Sequence, residues 1–197
     1  AFASFGFCKA HAAAFALPTY QSAWLKTHWP AHFLAGVLTH DPGMYPKRLI
    51  LDDVRRLGIA VLGLDVNDSE ATYVVEPLDR DDLGDRAGRA SASPATRSPH
   101  PTAHRYGIRL SLSEVKGINA GEVGRIVAAR PYASLTDFWH RARVSRPIVE
   151  RLVLAGAFDS VYGIGLRGSR GEVSARSRVT RRDLLLQVAE LERFGKA

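Results

Sequence analysis

Two short stretches of the sequence combine residue types that can do chemistry, and the first is Cys8-Lys9-Ala10-His11. A structural zinc site takes four ligands, and Cys8 is the only cysteine, so no metal site is predicted here. A catalytic thiol needs a prepared environment, and nothing in the sequence supplies an oxyanion hole or a third partner, so no catalytic residue is predicted. Two interpretations remain open for Lys9 and His11. They contact a phosphate at the start of a helix, or they are a solvated lysine and a capping or packed histidine.

The second stretch is Lys116-Gly117-Ile118-Asn119, a tight turn between two predicted helices. Glycine permits a positive φ in such a turn, and the first N–H groups of the following helix can bind an anion beside Lys116. Ile118 is expected to point back and hold the two helices together. A helix–hairpin–helix of this kind grips a DNA phosphate without reading bases; the alternative is an ordinary helix connection that uses glycine. Gly156 predicts a second hairpin, although its turn carries no lysine.

The basic charge of the chain is concentrated where these hairpins are predicted. Residues 105–170 contain 11 Lys or Arg and 5 Asp or Glu, a net charge of +6, whereas 6 and 7 such residues give residues 1–76 a net charge of −1. A polyanion such as nucleic acid could dock on the basic segment, although arginine-rich compositions also occur without a binding role. No apolar run reaches about 18 residues, so no membrane span is expected. The single cysteine and the lack of a signal peptide favour the cytoplasm.

Hydrophobic periodicity predicts mainly helical structure around both stretches. Helices are expected over residues 9–28, 30–40, 46–57 and 120–129, over "SRPIVERLVLAGAF", and after an N-cap at Ser134. Pro18 should kink or split the first helix because proline has no N–H to donate. β-branched runs predict short strands over residues 59–67, 71–76 and 105–112. The predicted fold class is therefore mainly α with a small β element (α+β).

Composition divides the chain into four predicted parts. They are a helical segment (1–58), a small β element (59–112) with a flexible insert (77–104), a tandem helix–hairpin–helix module (113–160), and a linker with an amphipathic tail helix (161–197). The insert is rich in Ser, Pro, Ala, Gly and paired opposite charges, which is typical of flexible segments. The apolar face of the tail helix is Leu184, Leu185, Val188 and Leu191.

One longer stretch carries a resemblance to a known family. "FGFCKAHAAAFALPTYQSAWLKTHWPAHFLAGVLTHD" closely resembles the fingers segment of bacterial family C DNA polymerases, the α subunit of DNA polymerase III. "LDVN", "SLSEVKGI" and "LVLAGAFD" follow in the family's order and spacing, so the resemblance covers about residues 1–160. Cys8, where replicative members usually have asparagine, and "THDPGMYPKRLILDDVRRLGI" are similar to the error-prone, damage-tolerant branch of actinobacteria.

The resemblance implies that the chain is a fragment of a longer DNA-directed DNA polymerase, a nucleotidyltransferase of replication and damage-tolerant repair synthesis. The fragment would lack the palm, whose carboxylates hold Mg²⁺, so we expect it to bind no cofactor itself and to be inactive alone. Lys9 would contact the triphosphate of the incoming dNTP, and His11 would lie near its sugar, where bulk rejects a 2′-OH. The residues that would hold duplex DNA are Lys116, Gly117, Ile118, Asn119 and Gly156.

The resemblance also bears on partners and on alternatives. A sliding clamp or translesion accessory proteins could bind the full-length protein, yet the tail has no Gln-x-x-[Leu/Met]-Phe clamp motif. The alternative function is that of a non-enzymatic helix–hairpin–helix DNA-binding accessory protein, and a third interpretation is a decayed reading frame with an incomplete fold. Because the resemblance implies a fragment without the fingers helices that precede this segment in the family, we expect residues 1–76 to expose apolar surface and to be poorly soluble.

Overall fold

Helices make up most of the computed structural model, which describes residues 8–78, 105–165 and 179–195. Within these ranges the α-helices are α1 (Lys9–His28), α2 (Pro30–His40), α3 (Lys47–Arg56), α4 (Ala120–Ala128), α5 (Leu135–Ala142), α6 (Arg146–Ala155), α7 (Asp159–Tyr162) and α8 (Arg181–Gly195). The strands form one sheet and are β1 (Ala60–Leu62), β2 (Val74–Pro77) and β3 (Tyr106–Arg109). The predicted fold class, mainly α with a small β element, is confirmed.

The first helix, α1, has the predicted bounds and is not split at Pro18. Its alanine-rich sequence favours the helix strongly enough to tolerate one missing N–H donor. None of its side chains is buried, and Phe15, Tyr20 and Trp24 are among the exposed aromatic residues. The predicted exposure of apolar surface is therefore confirmed for α1, while poor solubility stays a prediction.

Helices α2 and α3 pack against each other and against strands of the sheet, and these contacts form an N-terminal core. The buried residues of this core are Ala31, Leu34, Ala35, Leu38, Ile50, Val54, Ile59, Tyr73 and Ile108. Pro30 begins α2, where the missing N–H of proline has no partner to lose. Gly58 ends α3 with a φ of 79°, and its N–H donates to the Arg55 carbonyl at 3.0 Å.

The sheet has the order β1-β3-β2, with β3 parallel to β1 and antiparallel to β2. Ile108 in β3 pairs with Val61 on one side and with Val75 on the other. Because Ile108 is fully buried, the central strand anchors the sheet to the N-terminal core.

The predicted strands are all longer than the observed ones, and the strand expected over residues 59–67 is wrong beyond Leu62. After β1 the chain turns instead, because polar side chains there bind backbone N–H groups. Asp65 Oδ1 accepts from the Asn67 N–H at 2.8 Å, and Ser69 Oγ accepts from the Asp65 N–H at 3.0 Å. Such local bonds compete with strand pairing.

A second and larger core holds the C-terminal helices together. Its buried residues are Val66, Leu112, Val115, Val123, Ile126, Tyr132, Leu135, Phe138, Ala142, Val144, Ile148, Val149, Leu152, Val153, Ala157, Phe158, Leu184 and Val188. The rings of Phe138 and Phe158 meet edge to face with centroids 5.1 Å apart. Leu184 and Val188 bring the predicted apolar face of α8 into this core, against α5 and α6.

The predicted insert over residues 77–104 lies outside the described residues from position 79 onward, as do residues 166–178 of the predicted linker. The four-part division of the chain stays a prediction; Val66, which it assigns to the β element, is buried in the C-terminal core. Among the helices of the described ranges, none is long and apolar enough to cross a membrane.

Candidate nucleic-acid interface

The predicted first hairpin, residues 116–119, connects a 3-10 turn (Leu112–Glu114) to α4. Gly117 has a φ of 83°, which glycine adopts without the strain that a Cβ would cause. The Ile118 N–H donates to the Val115 carbonyl at 3.0 Å and closes the turn. The Ile118 side chain packs against the C-terminal core, as predicted, and fixes the hairpin from its inner side.

Asn119 and Glu122 fix the start of α4 through a reciprocal capping box. The Glu122 N–H donates to Asn119 Oδ1 at 2.9 Å, and the Asn119 N–H donates to Glu122 Oε2 at 3.2 Å. Glu122 is buried, and its Oε1 accepts from the Ser145 N–H at 3.0 Å. Burial alone would raise the pKa of Glu122, but these N–H donors and the charge of Arg125 outweigh burial and lower it. The carboxylate is therefore held by internal donors.

The first hairpin and the start of α4 carry backbone N–H donors that have no hydrogen-bond partner among the described residues. The N–H groups of Gly117, Ala120 and Gly121 have no hydrogen-bond acceptor within the described part of the chain. Lys116 is exposed beside them and forms no ion pair with a described residue. Glu114, the carboxylate nearest in sequence, is itself paired with Lys47. The first hairpin thus presents amide donors and an ammonium group, the combination that binds a phosphate.

Sequence reasoning missed Arg151, which reaches this hairpin from α6. Its Nη1 donates to the Lys116 carbonyl at 2.5 Å, and it would lie 2.9 Å from a Cβ built on Gly117. The contact joins residues 35 positions apart, so tertiary packing alone creates it. The only sequence signal that pointed to it was the net positive charge of the segment.

Arg125, on α4, is the second cation that sequence reasoning missed. Its Nε donates to the Ala142 carbonyl and its Nη2 to the Arg143 carbonyl, both at 3.2 Å. Its Nη1 would lie 3.6 Å from a Cβ built on Gly121, so the guanidinium lies near one of the residues whose N–H has no acceptor among the described residues.

The second predicted hairpin has the expected turn, but the residues that surround it differ from those around the first hairpin. Gly156 has a φ of 84° and is buried. Arg181, at the start of α8, occupies the space over it, donating from Nε to Asp159 Oδ1 at 2.9 Å and from Nη1 to the Leu154 carbonyl at 3.1 Å. A DNA contact by Gly156 stays a prediction.

Lys9 and His11 both lie exposed in the first turn of α1. Side chains two positions apart on a helix point about 160° away from each other. The structure therefore does not bring them to one side of the helix. The His11 ring packs against Phe15 with centroids 4.6 Å apart. Nucleotide contacts by Lys9 and His11 stay predictions.

Cys8 precedes α1 and is exposed. The N–H groups of His11 and Ala10 lower the pKa of its thiol. Across residues 8–78, 105–165 and 179–195, no three His, Cys, Asp or Glu side chains come together in a way that could hold a metal ion.

Comparison with known proteins adds to this geometry. A family model described as helix-hairpin-helix motif matches residues 58–166. A protein of Symbiobacterium thermophilum named error-prone DNA polymerase is 38% identical over 167 residues, which cover 82% of this chain and 15% of the relative. Proteins of the same name from Cutibacterium acnes and Nocardia farcinica are 35% and 38% identical, covering 95% and 83% of this chain.

The chain spans 18% or less of the length of these three relatives. The matches confirm the resemblance that the sequence showed to error-prone DNA polymerases. The assignment to actinobacteria stays a prediction.

Proposed function

The chain belongs to the helix-hairpin-helix motif family, and we propose that it is the part of an error-prone DNA polymerase that holds duplex DNA by its phosphates. The observation that carries this proposal is the exposed Lys116 beside the unpartnered N–H groups of the first hairpin. Amides and an ammonium group bind phosphate oxygens at any base sequence, so this contact positions the duplex without reading it. The similarity to relatives named error-prone DNA polymerase supports the choice of protein class.

In the whole polymerase, this chain would work beside a separate catalytic region. Nucleotidyl transfer needs metal ions that bridge the phosphates, and the described residues offer no cluster to hold them. The residues of this chain instead bind and orient DNA, so the chain by itself should bind duplexes without polymerase activity. The same proposal places the whole polymerase in the cytoplasm and gives it roles in DNA repair and in synthesis past damaged templates. It also includes a sliding clamp or accessory proteins as partners.

We further propose that Lys9 contacts the triphosphate of the incoming dNTP and that His11 contacts its sugar. The divergent directions of the two side chains favour two separate contacts over one shared contact. In the full-length polymerase, Lys9→Ala should raise KM for every deoxynucleotide, whereas His11→Ala should mainly relax discrimination against ribonucleotides. Lys26→Ala, at the other end of α1, is the control. Unchanged sugar selectivity in His11→Ala would exclude that role.

Duplex binding by the chain should fall steeply as salt rises, because phosphate contacts release counterions with a log–log slope of about −0.9 per phosphate. Lys116→Glu should weaken binding to all sequences alike. Lys26→Glu makes the same charge change on α1 and should have little effect. Fluorescence anisotropy with labelled duplexes of several sequences, at several salt concentrations, measures both. Salt-independent binding, or no binding, would overturn the proposal.

A further inference from the structure

Each hairpin carries an arginine from another element, but only one of the two arginines is neutralised. Arg151 donates to the Lys116 carbonyl at the first hairpin, and Arg181 donates to the Leu154 carbonyl at the second. Arg181 is also paired through two atoms with Asp159. Arg151 has no carboxylate partner among the described residues. The positive charge is therefore available at the first hairpin and compensated at the second.

The guanidinium groups at the first hairpin are held in place yet keep spare donors. A guanidinium has five N–H donors in a fixed planar fork. Arg151 uses only Nη1 in the described structure, and Arg125 uses Nε and Nη2. Because the acceptors are backbone carbonyls, these hydrogen bonds neutralise neither group, although Arg125 also interacts with the charge of Glu122. Their remaining donors can form the paired hydrogen bonds that phosphates favour.

Each of these guanidinium groups lies near a glycine whose N–H has no acceptor among the described residues. The Arg151 group is beside Gly117, and the Arg125 group is beside Gly121. The turn can thus present an amide and a guanidinium fork together at two neighbouring positions. The second hairpin lacks this arrangement, because Gly156 is buried under Arg181 and the following helix α7 has only 4 residues.

We propose that the chain holds the duplex asymmetrically, with Arg125 and Arg151 as phosphate contacts at the first hairpin and with the second hairpin as a structural joint to α8. This inference rests on the proposed function and names the residues that carry it. Arg181 closes the second turn and locks α8 onto it, so that turn contributes stability and no DNA contact.

The first test compares two variants of the full chain that add the same charge after each hairpin. Ala120 and Ser160 are both exposed residues in the first turn of the helix that follows their hairpin, where glutamate is compatible with the helix dipole. Ala120→Glu should weaken duplex binding at least tenfold, whereas Ser160→Glu should leave it unchanged. Circular dichroism checks that both variants fold, and Ala120→Gln controls for side-chain size.

The second test is the salt dependence of duplex binding. Arg125→Gln and Arg151→Gln should each reduce the log–log slope by about 0.9, while Arg55→Gln on α3 should not change it. Arg151→Lys keeps the charge and should retain the slope, which separates charge loss from misfolding. Equal weakening by Ala120→Glu and Ser160→Glu, or unchanged slopes in both glutamine variants, would refute the asymmetric grip. If the wild-type chain itself fails to bind duplexes, the proposed function fails instead.

Discussion

Two hydrogen bonds between Asn67 and Tyr132 join the loop after β1 to the segment before α5. The Tyr132 N–H donates to Asn67 Oδ1 at 2.7 Å, and Asn67 Nδ2 donates to the Tyr132 carbonyl at 3.1 Å. Arg130 adds a bond from Nε to the Val66 carbonyl at 2.8 Å. These bonds, together with the burial of Val66, tie the hairpin module to the sheet region.

Asn67→Ala should therefore lower the free energy of unfolding by about 1–3 kcal/mol, because it leaves a backbone donor and acceptor of Tyr132 unpaired. Urea denaturation followed by circular dichroism measures the change. Asn67→Asp keeps the acceptor but turns a carboxylate oxygen toward the Tyr132 carbonyl, so it should also destabilise the chain. Equal stability of wild type and Asn67→Ala would contradict a structural role for the two hydrogen bonds between Asn67 and Tyr132.

Glu122 should make the stability of the chain depend on pH. Its pKa in the folded chain lies below the ordinary value of 4.5, so its stabilising effect is complete above that value and is lost as pH falls through the folded pKa. Glutamine has one carbonyl oxygen and cannot satisfy both Asn119 and Ser145. Glu122→Gln should cost about 1–3 kcal/mol near neutral pH, with the difference from wild type shrinking at acid pH. A difference that stays constant with pH would argue against the carboxylate as its source.

Truncation of Phe158 should strongly destabilise the C-terminal core, since its side chain is 1% exposed and packs against Phe138. Phe158→Ala should cost about 3–5 kcal/mol through lost burial and a new cavity. Phe194→Ala removes the same ring from a site that is 80% exposed and should change stability by less than about 0.5 kcal/mol. Thermal unfolding of both variants compares them, and similar losses would disprove the packing described for Phe158.

The amides of α1 should exchange with solvent much faster than those of α6. No side chain of α1 is buried, whereas Ile148, Val149, Leu152 and Val153 of α6 all are. Opening α1 therefore exposes little apolar surface and costs little free energy. Hydrogen–deuterium exchange with peptide resolution measures the difference. Protection of α1 equal to that of α6 would show that α1 is stabilised by contacts other than those described.

Much of the local structure was predictable because its causes are local. The start of α4 after Asn119, the cap at Ser134 and the glycine turns at 117 and 156 depend on nearest neighbours along the chain. The length of β1 was overestimated because side chains of the turn that follows it bind the backbone of that turn, which the hydrophobic pattern does not reveal. The charge of residues 105–170 was also visible in advance, but not which of its cations are neutralised.

By itself, the sequence determined most of the helices, the hairpin turns and the family resemblance, because propensity, capping and motif spacing act over a few residues. Only the tertiary structure decided that Arg151 flanks the first hairpin without a carboxylate while Arg181 covers the second beside Asp159. Those pairings join residues 35 and 22 positions apart. Packing of the helices around the buried core brings such distant groups together, and no pattern of neighbouring residues encodes their contacts.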